Sequence, residues 1–86
     1  MALQKQYTQP IALLEIQKNA YNKFIVNAFS KWDNENLNYI GIRNWYKPND
    51  ESPWLPTKKG ITIIDKNIPA IIKVMTDYCN RRNIPL

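Results

Sequence analysis

The chain has no histidine, and cysteine occurs once, at Cys79. The commonest general base and the commonest zinc ligand are therefore missing. A lone cysteine forms no disulfide within the chain and holds no metal by itself, which points to a reducing, intracellular setting. Long apolar runs are missing as well. The longest, Ile11 to Leu14, is too short to cross a bilayer. Met1 to Pro10 holds no apolar stretch of signal-peptide length. Repeats and low-complexity segments are absent too. The expectation is a cytoplasmic or nucleoid-associated protein with no membrane partner, no cofactor, no metal and no catalytic residue.

What is present fits a small binding domain. The 86 residues make one domain near the lower size limit for a self-sufficient core, and 44% are hydrophobic, too many for a disordered chain. A second copy would cover apolar surface that one small domain cannot. Twelve Lys and Arg against seven Asp and Glu leave a charge of +5. That excess favours anionic partners, although a charge of this size also serves simple solubility.

Along the chain, residues 1–10 read as a flexible arm, 11–80 as the folded domain and 81–86 as a short tail. Alternating apolar residues predict strands over Ile11–Lys18, Lys23–Trp32, Leu37–Tyr46 and Gly60–Ile64. Asn19–Asn22 and Asp33–Asn36 have turn composition, and Lys47–Thr57, with three prolines, reads as a long loop. Ile68, Ile71, Ile72, Met75 and Cys79 then recur at helical spacing, a stripe for the core or for a dimer interface. Asp65 or Asn67 is expected to cap that helix, Pro69 to lie in its first turn and Pro85 to bar its extension. Four strands followed by one helix make an α+β chain, in which the helix is expected to cover one face of a small curved sheet.

Two segments carry the chemistry. Ile40-Gly41-Ile42-Arg43-Asn44-Trp45-Tyr46 places a guanidinium beside two aromatics, and Lys58-Lys59-Gly60-Ile61-Thr62 opens the next strand with a basic pair. Nucleic acid presents a phosphate and a flat base at every nucleotide, and interleaved Arg, Lys and aromatic side chains answer both. Each feature also has a plainer reading. Arg43 can pair with Glu15 or Asp77, Lys58-Lys59 alone is a solvated pair, and Trp45 and Tyr46 alternate, so one of them belongs to the interior. Trp54 in its polar loop either folds back on the sheet or caps a base. Gly41 marks a bend or a close approach to the backbone.

The order of these motifs resembles the carboxyl-terminal domain of transcriptional positive cofactor four, a single-stranded-DNA-binding family also found in bacteria and their viruses. The family pattern is an apolar strand ending in Ile-Arg, one residue and paired aromatics, then a basic Lys/Arg-Lys-Gly-Ile-Ser/Thr strand and a helix. The resemblance spans about Leu14 to Tyr78. It implies a four-stranded antiparallel sheet plus helix, paired as a homodimer, with grooves that grip single strands. It further implies phosphate contacts at Arg43, Lys58, Lys59 and Lys18, and base stacking on Tyr46 and on one of Phe29 and Trp32, with Trp45 turned inward. Gly41 stands where the family commonly has an acidic residue, Pro56-Thr57 replaces a proline-glycine before the basic pair, and Trp54 and Pro69 are additions.

The reading that results is a sequence-tolerant single-stranded-DNA-binding homodimer serving transcription, replication or recombination. RNA stays open as a partner, since nothing in the chain visibly reads a 2′-hydroxyl. One alternative is a protein-interaction module that docks on a polymerase or on other transcription or replication proteins. An enzyme would have to use Asp33, Glu35, Asp50 and Glu51 to hold magnesium, and no motif frames them.

Overall fold

A computed structural model describes residues 7–86. Residues 1–6 of the expected arm lie outside the described residues. The elements are β1 (Ile11–Asn19), β2 (Asn22–Lys31), β3 (Asn34–Tyr46), β4 (Leu55–Ile64), a 3-10 turn (Asp65–Asn67) and α1 (Ile68–Arg81). The strands form one open antiparallel meander in the order β1-β2-β3-β4.

Side-chain alternation divides the sheet into two unlike faces. Leu14, Ile16, Phe24, Val26, Ile40, Ile42, Ile61 and Ile63 share an apolar face by register. Glu15, Lys23, Asn27, Arg43 and Thr62 share the other with Ile25, Phe29, Tyr39, Gly41 and Trp45. Irregularities lie at Ala12/Leu14 and Gln17/Asn19 in β1, at Ser30/Lys31 against β3, and at Arg43/Trp45 against β4. Such interruptions sharpen twist and break up edges that would otherwise pair with other chains.

The connections depend on asparagine. In the β1–β2 turn, Asn19 Oδ1 accepts from the Tyr21 N–H at 2.9 Å and from Asn22 Nδ2 at 3.2 Å. After β3, Asn49 Oδ1 accepts from the Glu51 N–H and the Ser52 hydroxyl. Both copy a backbone turn with a short side chain. Tyr7 to Pro10 is not loose: Tyr7 bridges to Lys31, the Thr8 N–H donates to Ser30 O at 2.9 Å, and the Ser30 N–H donates back to Thr8 Oγ1 at 3.0 Å.

Several boundaries differ from the sequence expectation: β1 ends at Asn19 and β2 runs from Asn22 to Lys31, each of these ends displaced by one residue. β3 starts at Asn34, so Glu35 and Asn36 belong to the strand, and the turn shrinks to Trp32-Asp33. β4 starts at Leu55, because pairing resumes beyond its irregularity, with Tyr46 opposite Leu55 and Trp45 opposite Pro56. Pro56 is tolerated there because β4 is an edge strand and its missing N–H disturbs no central ladder. Arg81 is still helical, so the tail is one residue shorter than expected.

Neither Asp65 nor Asn67 caps α1 through its side chain. Asn67 already has helical dihedrals (φ −94°, ψ −8°), because the 3-10 turn runs straight into the helix. Pro69 sits in the first turn, where no intrahelical N–H is required. The helix stops at Asn83, whose φ of 56° lets the Ile84 N–H reach Cys79 O at 2.8 Å and the Asn83 N–H reach Asn80 O at 3.3 Å. That is a Schellman closure, with asparagine in the place glycine usually takes.

The helix does not cover the sheet of its own chain. Its packing within the chain is with the 3-10 turn, which itself touches β3. The radius of gyration is 15.7 Å, against about 12 Å for a compact domain of this length. No described residue is fully buried, and Ile72, Val74, Met75 and Tyr78 on α1 are all more than half exposed. Ile68 and Ile71 are half-buried, against the 3-10 turn end of the helix. The expected single-chain layer of helix on sheet is therefore absent. α1 and the apolar sheet face are two separate hydrophobic surfaces.

Gly60 locks β4 against β3. A Cβ there would meet Ile42 O at 2.7 Å and the Arg43 Cα at 3.1 Å, both backbone atoms that cannot swing aside. Gly60→Ala should destabilise the fold by about 1–3 kcal/mol through overcrowding. A thermal melt equal to that of the wild type would refute this.

Candidate nucleic-acid interface

The basic pair is displayed by a built irregularity in β4. Arg43 pairs with Gly60 and Trp45 with Pro56, so Thr57, Lys58 and Lys59 stand opposite Asn44 alone. The Thr57 hydroxyl donates to Asn44 O at 2.8 Å and accepts from the Lys59 N–H at 3.1 Å. Arg43 Nη1 donates to Thr57 O at 2.6 Å. The protrusion thus has its own hydrogen bonds, and Lys58 and Lys59 are left exposed. Arg43 does not pair with Glu15, which takes Lys23 Nζ at 2.7 Å instead. A guanidinium has five N–H donors, so a bond from Nη1 leaves capacity for a phosphate.

The predicted contacts fall on two faces. Arg43 lies on the polar face, half-buried, in one row with Ile25. Lys59 and Lys18 instead flank an open groove of about 550 Å³ on the apolar side, floored by Phe24, Ile42 and Ile61 and edged by Asn22 and Asn44. Lys18 Nζ also rests over the Phe24 ring, 4.8 Å from its centroid. Tyr46 is exposed at the end of β3, paired with Asn22 and Leu55, and Trp45 beside it is half-buried. The sheet therefore does not gather every predicted residue into one patch. It makes a margin along β4, from which Arg43 and the lysine pair serve adjacent sides.

The remaining aromatics separate clearly. Trp54 folds back on the sheet: Lys23 Nζ lies 4.5 Å and Lys47 Nζ 5.6 Å from its ring centroid. Its loop is docked further by the Tyr21 hydroxyl donating to Asp50 Oδ1 at 3.1 Å. Trp32 is 55% exposed in the β2–β3 turn. Phe29 stacks on Tyr39 at 5.6 Å, and Tyr7 meets both rings edge-on at 5.4 and 5.7 Å. Among the described residues no three metal-ligating side chains cluster.

The family model described as Transcriptional Coactivator p15 (PC4) matches residues 21–74, from the β1–β2 turn into α1. The chain belongs to this family. Its members are non-catalytic coactivators of transcription that bind DNA, so nucleic acid is the general class of partner. No curated protein and no solved structure matches the chain. The PC4 match includes Arg43, Tyr46 and the Lys58-Lys59-Gly60 step, and leaves out Lys18 and Tyr7.

Sequence reasoning passed over Thr57, which holds the protrusion, and Tyr7 and Tyr39, which build the ring cluster with Phe29. A threonine just before a basic pair was one available signal. Tyr7 gave none, because its partners are decided by how the strands pair.

Proposed function

We propose that the protein binds single-stranded DNA as a homodimer, through phosphate contacts and base stacking, in the service of transcription. The observation that carries this reading is the protruding Lys58-Lys59 pair, pinned by Thr57 and backed by Arg43, in a chain of the PC4 family. Phosphates meet Arg43, Lys58 and Lys59 along β4, and Lys18 extends the cationic rim across the groove. Tyr46 and Trp32 offer exposed rings at the two ends of β3 for unstacked bases, where stacking contributes roughly 1–3 kcal/mol per base.

The exposed apolar surface supports pairing. The chain exposes 7235 Å², against about 5,300 Å² for a compact monomer of its mass. The α1 stripe and the apolar sheet face are complementary in chemistry, and among the described residues both are unpartnered. In the dimer, the helix stripe of one copy closes on apolar surface of the other, and the polar face stays open for the strand.

Affinity for an unstructured DNA oligonucleotide, measured across salt concentrations, tests the reading. Changing Lys58 and Lys59 together to Ala should lower affinity alike for all sequences. Each lost phosphate contact lowers the log–log salt slope by about 0.7 for a single strand, so the double variant should lose about 1.4. An unchanged slope would move the site elsewhere. Duplex DNA of the same sequence should bind more weakly, and equal binding to duplex would refute the single-strand preference.

A further inference from the structure

On the polar face, Asn27, Gly41 and Thr62 form one row across β2, β3 and β4. The row on one side is Phe29, Tyr39 and Ile64, and on the other Ile25, Arg43 and Gly60. Because Gly41 has no side chain, the middle row is a dent, and Phe29 leans over it. A Cβ on Gly41 would lie 3.1 Å from Phe29 Cε1. The resulting cavity of about 210 Å³ is bounded by Tyr7, Pro10, Asn27, Phe29, Arg43 and Thr62.

We propose that this cavity is a nucleobase slot, which takes one base of the bound strand and reads its edge. The proposal rests on the single-strand reading above and adds base selectivity to it. Four features of the cavity support it. Its volume is below the range of about 300–1,000 Å³ typical of sites for whole drug-sized ligands, so it suits one ring system. Its walls include Phe29, an aromatic ring of the kind on which unstacked bases stack, and Arg43. Those walls are fixed: Phe29 is held by Tyr39 and Tyr7, Tyr7 by its bridge to Lys31, and Arg43 by its bond to Thr57 O. Finally, the Asn27 amide and the Thr62 hydroxyl supply donors and acceptors at the edge, and neither side chain is hydrogen-bonded to another described residue.

The chemistry of the surroundings selects a base attached to a phosphate backbone over a free aromatic ring. Arg43 borders the slot and, through its bond to Thr57 O, the protrusion that carries Lys58 and Lys59. A base seated over Gly41 leaves its own phosphates beside that cationic margin. Open stacking platforms are indifferent to sequence, whereas an enclosed base whose edge meets an amide and a hydroxyl is not.

The test uses the full chain with dA, dC and dT homopolymers of equal length, and with an abasic deoxyribose-phosphate strand of that length. A paired edge contact discriminates by about 1–3 kcal/mol, so the wild type should spread the three homopolymers by about tenfold or more and bind the abasic strand weakest. Gly41→Val fills the slot and should collapse that spread with the salt slope unchanged. Asn27→Leu leaves the cavity and the fold in place, and should flatten the preference by removing the amide. A wild type that binds the three homopolymers equally overturns the slot alone, as does a preference that survives both substitutions. A wild type that binds no strand overturns the single-strand reading together with the slot.

Discussion

Ile72→Asp should leave a chain that neither pairs nor melts cooperatively. Ile72 is 58% exposed in one copy, at the centre of the α1 stripe with Ile68, Ile71 and Met75. No described residue is fully buried, so in the proposed dimer apolar contacts between copies supply much of the stability. A carboxylate buried without a partner costs several kcal/mol, and the whole stability of a small domain is about 5–15 kcal/mol. Two such charges enter each dimer. Sedimentation should therefore give a monomer, and circular dichroism should show no thermal transition. Lys73→Asp changes charge one position round the helix, away from the stripe, and should leave both measurements near wild type. An Ile72→Asp protein that sediments as a dimer and melts normally would overturn the pairing and the role of α1 in it.

Arg43→Ala should have the largest effect on binding of any single substitution. Arg43 joins three roles: it carries a charge beside the polar face, it pins the β4 protrusion through Thr57 O, and it walls the cavity over Gly41. Hydrogen bonds from a charged group contribute about 1.5–3 kcal/mol, so affinity should fall by more than tenfold as the lysine pair loses its fixed position. Arg43→Lys separates the roles. It keeps the charge, so the salt slope should stay near wild type, but an ammonium lacks the planar fork that can hold Thr57 O and a phosphate together. Its affinity should lie between those of wild type and Arg43→Ala. If Arg43→Lys binds like wild type, charge alone accounts for Arg43. If Arg43→Ala binds like wild type, the β4 margin is not the phosphate site.

Much of the architecture was legible in the residues. Period-two alternation located all four strands, and the spacing of Ile68, Ile71, Ile72, Met75 and Cys79 located α1, because both patterns follow directly from backbone geometry. The Ile-Arg step with its paired aromatics, and the Lys-Lys-Gly step after it, were sufficient to point to the PC4 family, since both lie within one short stretch of chain. Where strands begin was less legible. β4 starts at Leu55 because pairing resumes beyond three residues that stand against Asn44 alone, and no local propensity marks such an offset.

What the faces meet was decided by tertiary structure. The stripe on α1 announces that something covers it, and nothing in its spacing says whether the cover is the same chain or another. Only the projection of the helix away from its own sheet settles that its own sheet is not the cover. Arg43 could be read as a cation, but its bond to Thr57 spans fourteen residues and exists only through the β3–β4 register. Trp54, open between two roles in the sequence, is held between Lys23 and Lys47 because its loop turns back over β2. Gly41 was legible as a place of close approach, and the approaching group, Phe29, was not. Residue spacing sets which side chains share a face, while register and long-range packing choose their neighbours. The candidate binding residues could be named from sequence, whereas their arrangement along β4 and around Gly41 is set by strand register.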